Sequence, residues 1–104
     1  MHPLIKSNQK AIAALCRQHG VQKLEVFGSI LGSDFDASRS DVDVLVEFAP
    51  GADSARRFSD FLDLKQSLET LFVRPVDLIE PHTIVNRRLR HYIEQSKSVV
   101  YAAA

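Results

Sequence analysis

Asp41-Val42-Asp43-Val44-Leu45-Val46-Glu47-Phe48 decides the reading of this chain. Apolar residues recur at every second position. Val42, Val44, Val46 and Phe48 therefore share one face of a β-strand, and Asp41, Asp43, Leu45 and Glu47 share the other. The β-branched content suits a strand inside a sheet better than one at its edge. The polar face stops after Asp43, because Leu45 is apolar. Two carboxylates at the head of a central strand point the same way, and buried charge without a partner is costly. A hard cation is one such partner, since magnesium is held by one or two carboxylates together with substrate phosphates. By itself the pair also fits a solvated, half-exposed strand, which is the commoner setting for two aspartates.

Upstream, Lys23-Leu24-Glu25-Val26-Phe27 alternates in the same way and reads as a short strand. Gly28-Ser29 follows it directly, with a short helical turn expected through Ile30 and Leu31. Backbone N–H groups at a strand-to-helix turn bind anions. Glycine allows close backbone approach, and the serine hydroxyl adds a donor. Two residues alone equally describe a tight turn with a helix cap. Neither the phosphate loop G-x-x-x-x-G-K nor the nucleophile elbow G-x-S-x-G occurs. Residues 32–40 are turn chemistry, and residues 49–53 form a loop.

From Ser54 to Phe72 the pattern is helical, with Phe58, Phe61, Leu62, Leu68, Leu71 and Phe72 along one stripe. Arg74-Pro75-Val76-Asp77-Leu78-Ile79 reads as a third strand, with proline at its start. Asp77 points away from Val76 and Leu78, either to solvent at an edge or toward the first two acids. Pro81-His82-Thr83 opens a last helix, with Val85, Leu89 and Ile93 on one face. Val99-Val100-Tyr101 ends the pattern as a helix end or a short strand. Near the N-terminus, Ser7 or Asn8 caps a helix carrying Ile12, Leu15 and Cys16, which stops at Gly20. The order implies an α/β layer structure, a small mixed sheet covered by helices, forming one domain over residues 1–104.

Composition fits that reading. The 104 residues are 45% hydrophobic and 25% charged, as in soluble globular proteins. The formal net charge is zero, so the whole-molecule field does not draw in nucleic acid. Arg87, Arg88, Arg90 and Lys97 make the C-terminal end basic. They read as a solvated helix face, a dock for an acidic partner, or contacts to RNA phosphates. Cys16 is the sole cysteine, so no intrachain disulfide forms. It lies on the apolar stripe of its helix and reads as core. No signal peptide or bilayer-spanning run is present in the sequence, and the expected location is cytoplasmic. His2, His19, His82 and His91 lack metal-ligand spacing.

Val26-Phe27-Gly28-Ser29 followed by Ser40 to Phe48 resembles the signature of the DNA polymerase β-like nucleotidyltransferases, in particular their minimal, single-domain branch. Phe61 to Glu69 followed by Arg74 to Leu78 is similar to the next block of that family, and Ser98 to Ala102 to its usual close. The resemblance covers nearly the whole chain and implies the polymerase β-like nucleotidyltransferase fold. It also implies roles: Gly28 and Ser29 contact the triphosphate, and Asp41 and Asp43 ligate two Mg2+ ions. Asp77 joins the catalytic ion and assists deprotonation of the acceptor hydroxyl. ATP is the implied substrate, with AMP transferred and pyrophosphate released. Minimal members are paired with all-helical HEPN ribonuclease toxins as their antitoxins, and some transfer AMP to the toxin, so a hetero-oligomer with such a toxin is implied. An RNA 3′ end is the alternative acceptor, and a silent antitoxin acting by binding alone is the alternative from another class. The chain departs from the family in two ways. Eleven residues lie between Ser29 and Asp41, one more than usual, and Gly32 stands where an arginine is common.

Overall fold

The computed structural model describes residues 2–31, 41–51 and 53–103, with the side chains of all these except Ser29 and Leu31. Two helices, α1 (Pro3–Lys6) and α2 (Gln9–Gln18), precede strand β1 (Val21–Phe27). A 3-10 turn, Gly28–Leu31, follows β1 without a break. Then come β2 (Val42–Phe48), α3 (Ser54–Phe72), β3 (Val76–Ile79), a 3-10 turn at Pro81–Thr83, α4 (Arg87–Ser96) and β4 (Ser98–Ala102). The sheet order is β3-β2-β1-β4. β1 runs antiparallel to both β2 and β4, while β2 and β3 are parallel. The last segment is thus a strand, which settles the alternative left open by the sequence.

The alternation in β2 sorts its side chains as expected. Val42, Val44 and Val46 are buried in the main core, with Ile12 and Cys16 of α2 and Leu64, Leu68 and Phe72 of α3. Leu45 joins a second cluster on the other face, with Phe27, Ile84 and Ile93. Both faces of the sheet are therefore covered, by α2 and α3 on one side and by α4 on the other. That second cover explains Glu25, which the alternation assigned to a polar face but which is buried. Its carboxylate is compensated by Lys23 Nζ at 3.7 Å and Lys97 Nζ at 3.8 Å. Among the described residues, no helix is long and apolar enough to cross a membrane.

The length of α3 agrees with its pattern, and its face agrees in part: Leu68 and Phe72 are buried, and Phe61 and Leu71 pack against the core. Leu62 and Leu64 are two positions, about 200°, apart on a helix, so only one can face the sheet. Leu64 does so, at the spacing of Leu68 and Phe72, whereas Phe58 and Leu62 are exposed. Asp53 caps this helix, accepting from Arg56 N–H at 2.7 Å. The other end closes on Val73, whose φ of 55° is left-handed and which is exposed. A β-branched residue there is strained by about 1–2 kcal/mol. Part of that relief is offset by the greater freedom of glycine in the unfolded chain. Val73→Gly is accordingly expected to stabilise the fold by about 0.5–1 kcal/mol, read as a rise of a few degrees in melting temperature. A lower melting temperature would show that the valine side chain contributes more by packing than it costs in strain.

The last helix starts later than the sequence pattern suggested. Pro81–Thr83 makes a separate 3-10 turn, and α4 begins after Asn86, whose side chain accepts from Leu89 N–H at 3.1 Å. Val85 consequently lies outside the helix and is 92% exposed. Ile93 is the one buried residue of α4.

Candidate functional site

The strands place the three acids at one end of the sheet. Phe27 pairs with Asp43 across the antiparallel β1–β2 ladder, and Asp43 pairs with Asp77 across the parallel β2–β3 ladder. Residues opposite one another share a face, so Asp43 and Asp77 stand side by side on the face covered by α4. Asp41 lies two residues before Asp43, just ahead of β2, and is exposed. Val76 and Leu78 point into the main core, which leaves Asp77 exposed on the opposite side, as the alternation implied.

Gly28 closes this end. Its φ of +77° requires glycine or a strained residue. A Cβ at this position would stand 2.5 Å from Asp43 Oδ2 and 3.6 Å from the Tyr92 hydroxyl. The backbone of the turn therefore lies directly against the Asp43 carboxylate, which a Cβ at this position would push aside. Ser29 has its backbone in the same 3-10 turn, while its side chain, the turn 32–40, Gly32 and Arg39 lie outside the described residues.

The electrostatics follow from this packing. Burial pushes the Asp43 carboxyl up, and the neighbouring carboxylates of Asp77 and Asp41 push it further, from the usual 3.8 to about 6. Among the described residues, none of the three carboxylates has an ion pair. Nor are three metal-ligating side chains gathered at ligand spacing. Like charges at this range repel, so full convergence costs free energy that a cation would offset. An oxygen-only donor set of neighbouring carboxylates fits a hard divalent cation such as magnesium.

Between pH 3.8 and about 6, folded Asp43 holds a proton that the unfolded chain has released. Its stabilising contribution is complete below the lower value and is lost as pH rises through about 6. Asp43→Asn, neutral throughout, is expected to melt a few degrees above the wild type near pH 8 in the presence of a chelator, with the difference closing near pH 4. Melting curves across this range check the point. A variant that melts lower at pH 8 would overturn the picture of uncompensated charge.

Two concavities among the described residues lie elsewhere. One of about 430 Å³ is lined by Phe48, Arg57 and Asp60, among others, and one of about 700 Å³ lies between α2 and α3. Neither joins acids to a strand-to-helix turn, so chemistry, not volume, singles out the end of the sheet. Sequence reasoning had no local reason to include Tyr92. The polar cap at Asn86, which fixes the start of α4, was the available signal.

A mixed four-stranded sheet in the order β3-β2-β1-β4, with helices on both faces, is the fold of minimal nucleotidyltransferases. Residues 9–104 match the polymerase β nucleotidyltransferase family, and the chain belongs to it. Among solved structures, it is similar to a protein described as a candidate minimal nucleotidyltransferase, at 29% identity and a TM-score of 0.71, covering 94% of this chain and 95% of the other. It is also similar to a chain of the complex between an MNT antitoxin and the tri-AMPylated HEPN toxin of Shewanella oneidensis, at 22% identity and a TM-score of 0.62, covering 95% of this chain and 73% of that one. A chain of a toxin–antitoxin complex with AMP-PNP matches at 23% identity and a TM-score of 0.65, covering 92% and 74%. At those last two identities the likeness is one of fold. No curated protein matches the chain significantly.

Proposed function

We propose that this chain transfers AMP from ATP to a hydroxyl of a partner protein, a HEPN-type toxin that it neutralises. The observation that carries the reading is the row Phe27–Asp43–Asp77 across three strands, with Gly28 against the Asp43 carboxylate. The solved complexes of similar folds with HEPN toxins, one of them tri-AMPylated, support the choice of acceptor.

In this reading Asp41 and Asp43 would hold two Mg2+ ions and Asp77 would join the one nearer the acceptor. When bound, the ions supply Lewis acidity to the attacking and leaving oxygens of an in-line displacement. Gly28 and Ser29 bind the β and γ phosphates through backbone N–H groups and the serine hydroxyl. Asp77, on the exposed side of β3, takes the proton of the incoming hydroxyl. The acceptor oxygen bonds to the α-phosphorus as the bond to pyrophosphate breaks.

The test is the intact mass of the protein encoded beside this chain, after incubation with the chain, ATP and magnesium. A gain of one or more AMP units is expected. An unmodified toxin that is nevertheless bound and inhibited would overturn the catalytic half of the proposal and leave a binding antitoxin. Nucleotide added to RNA instead would replace the acceptor.

A further inference from the structure

Core packing does not explain where Tyr92 sits. Its helix rests on the sheet through Ile93, and its own side chain is 52% exposed. Yet its hydroxyl lies 3.6 Å from the point that a Cβ on Gly28 would occupy, the same point that Asp43 Oδ2 approaches. Among the described residues that hydroxyl has no hydrogen-bond partner; the bond at this residue, from Ser96 Oγ, goes to its backbone carbonyl. Arg88 is one helical turn earlier, on the same side of α4, and is exposed. Of the other cations of this helix and its end, Arg90 donates to the Ile84 carbonyl at 2.6 Å and Lys97 donates to Glu94 Oε1 at 3.1 Å, while Arg87, exposed like Arg88, lies five positions before Tyr92 and so about 140° away from it around the helix.

A triphosphate offers only acceptors. The acids of β2 and β3 cannot donate to it, and the 3-10 turn reaches it from one side only. Donors are needed on the facing side, where α4 passes. A phenol supplies one, and a guanidinium supplies a charged, two-pronged one. We propose that Tyr92 and Arg88 form the second wall of the phosphate site. The Tyr92 hydroxyl donates to a non-bridging oxygen of the phosphates seated on Gly28-Ser29, and Arg88 reaches the terminal phosphate. The inference rests on the nucleotidyltransferase reading above and adds two binding residues to it.

Calorimetric binding of a non-hydrolysable ATP analogue, of inorganic tripolyphosphate and of AMP, each with magnesium, tests it without any turnover. Tyr92→Phe is expected to weaken the analogue and tripolyphosphate roughly 10-fold or more, the usual scale for a lost bond to a charged acceptor. AMP affinity should stay within about twofold, and the melting temperature should not change. Arg88→Gln should show the same split between triphosphate and AMP. Wild-type affinity for tripolyphosphate in Tyr92→Phe would overturn the inference alone. A wild type that binds neither triphosphate probe would overturn the nucleotidyltransferase reading, and this inference with it. A gain of AMP on Tyr92 itself would make it an acceptor and not a wall.

Discussion

Asp41→Asn/Asp43→Asn is expected to lose AMP transfer by a factor on the order of 10³ or more while remaining folded. The two carboxylates sit at the head of β2, outside the main core, so neither substitution opens a cavity among Val42, Val44 and Val46. Asparagine keeps the shape and removes the charge. It therefore removes the burial cost of the charge and the repulsion that together lift Asp43 to about 6 and should raise stability slightly at neutral pH, the direction expected where a site holds charge for function at the expense of stability. Loss of activity with a rise in melting temperature separates a functional role from a structural one. Magnesium is expected to raise the melting temperature of the wild type and to leave that of this variant unchanged, because a ligand stabilises only the state that binds it. Transfer retained within about 10-fold would remove these two acids from the proposed chemistry and return them to the reading of a solvated strand head.

The sequence showed the part of this site that depends on local periodicity. Alternation alone put Asp41 and Asp43 on one face of β2 and turned Asp77 away from Val76 and Leu78, because side-chain direction in a strand is set residue by residue. What alternation could not show was which faces acquire a second cover. Glu25 reads as polar surface in its own strand, and it is buried only because α4 and Lys97 close over it. In α3, the choice between Leu62 and Leu64 turns on the rotation of the helix against the sheet, a tertiary quantity. The start of α4 went to Asn86 and not to Pro81, since a side-chain cap outweighed a proline turn. Tyr92 could not be placed beside Gly28 until that start was known.

Gly28→Ala is expected to cost roughly 10²-fold in transfer for a modest loss of stability, and the two costs have different sources. The backbone cost is that of a φ of +77°, about 1–2 kcal/mol for a residue with a Cβ. The steric cost comes from the methyl 2.5 Å from Asp43 Oδ2. That atom is the end of a short side chain, so the fold relieves the clash by turning the carboxylate aside and not by moving β2. Turning it breaks its alignment with Asp77, and a displacement of about 1 Å in a reacting site is enough for a loss of about 10²-fold. A double-mutant cycle isolates this effect. In an Asp43→Ala background the methyl meets no carboxylate, so the stability cost of Gly28→Ala should fall to the backbone part alone. Equal costs in both backgrounds would mean that the contact between the turn and the acid contributes nothing to the fold. Activity within threefold of wild type in the single variant would mean that it contributes nothing to the chemistry.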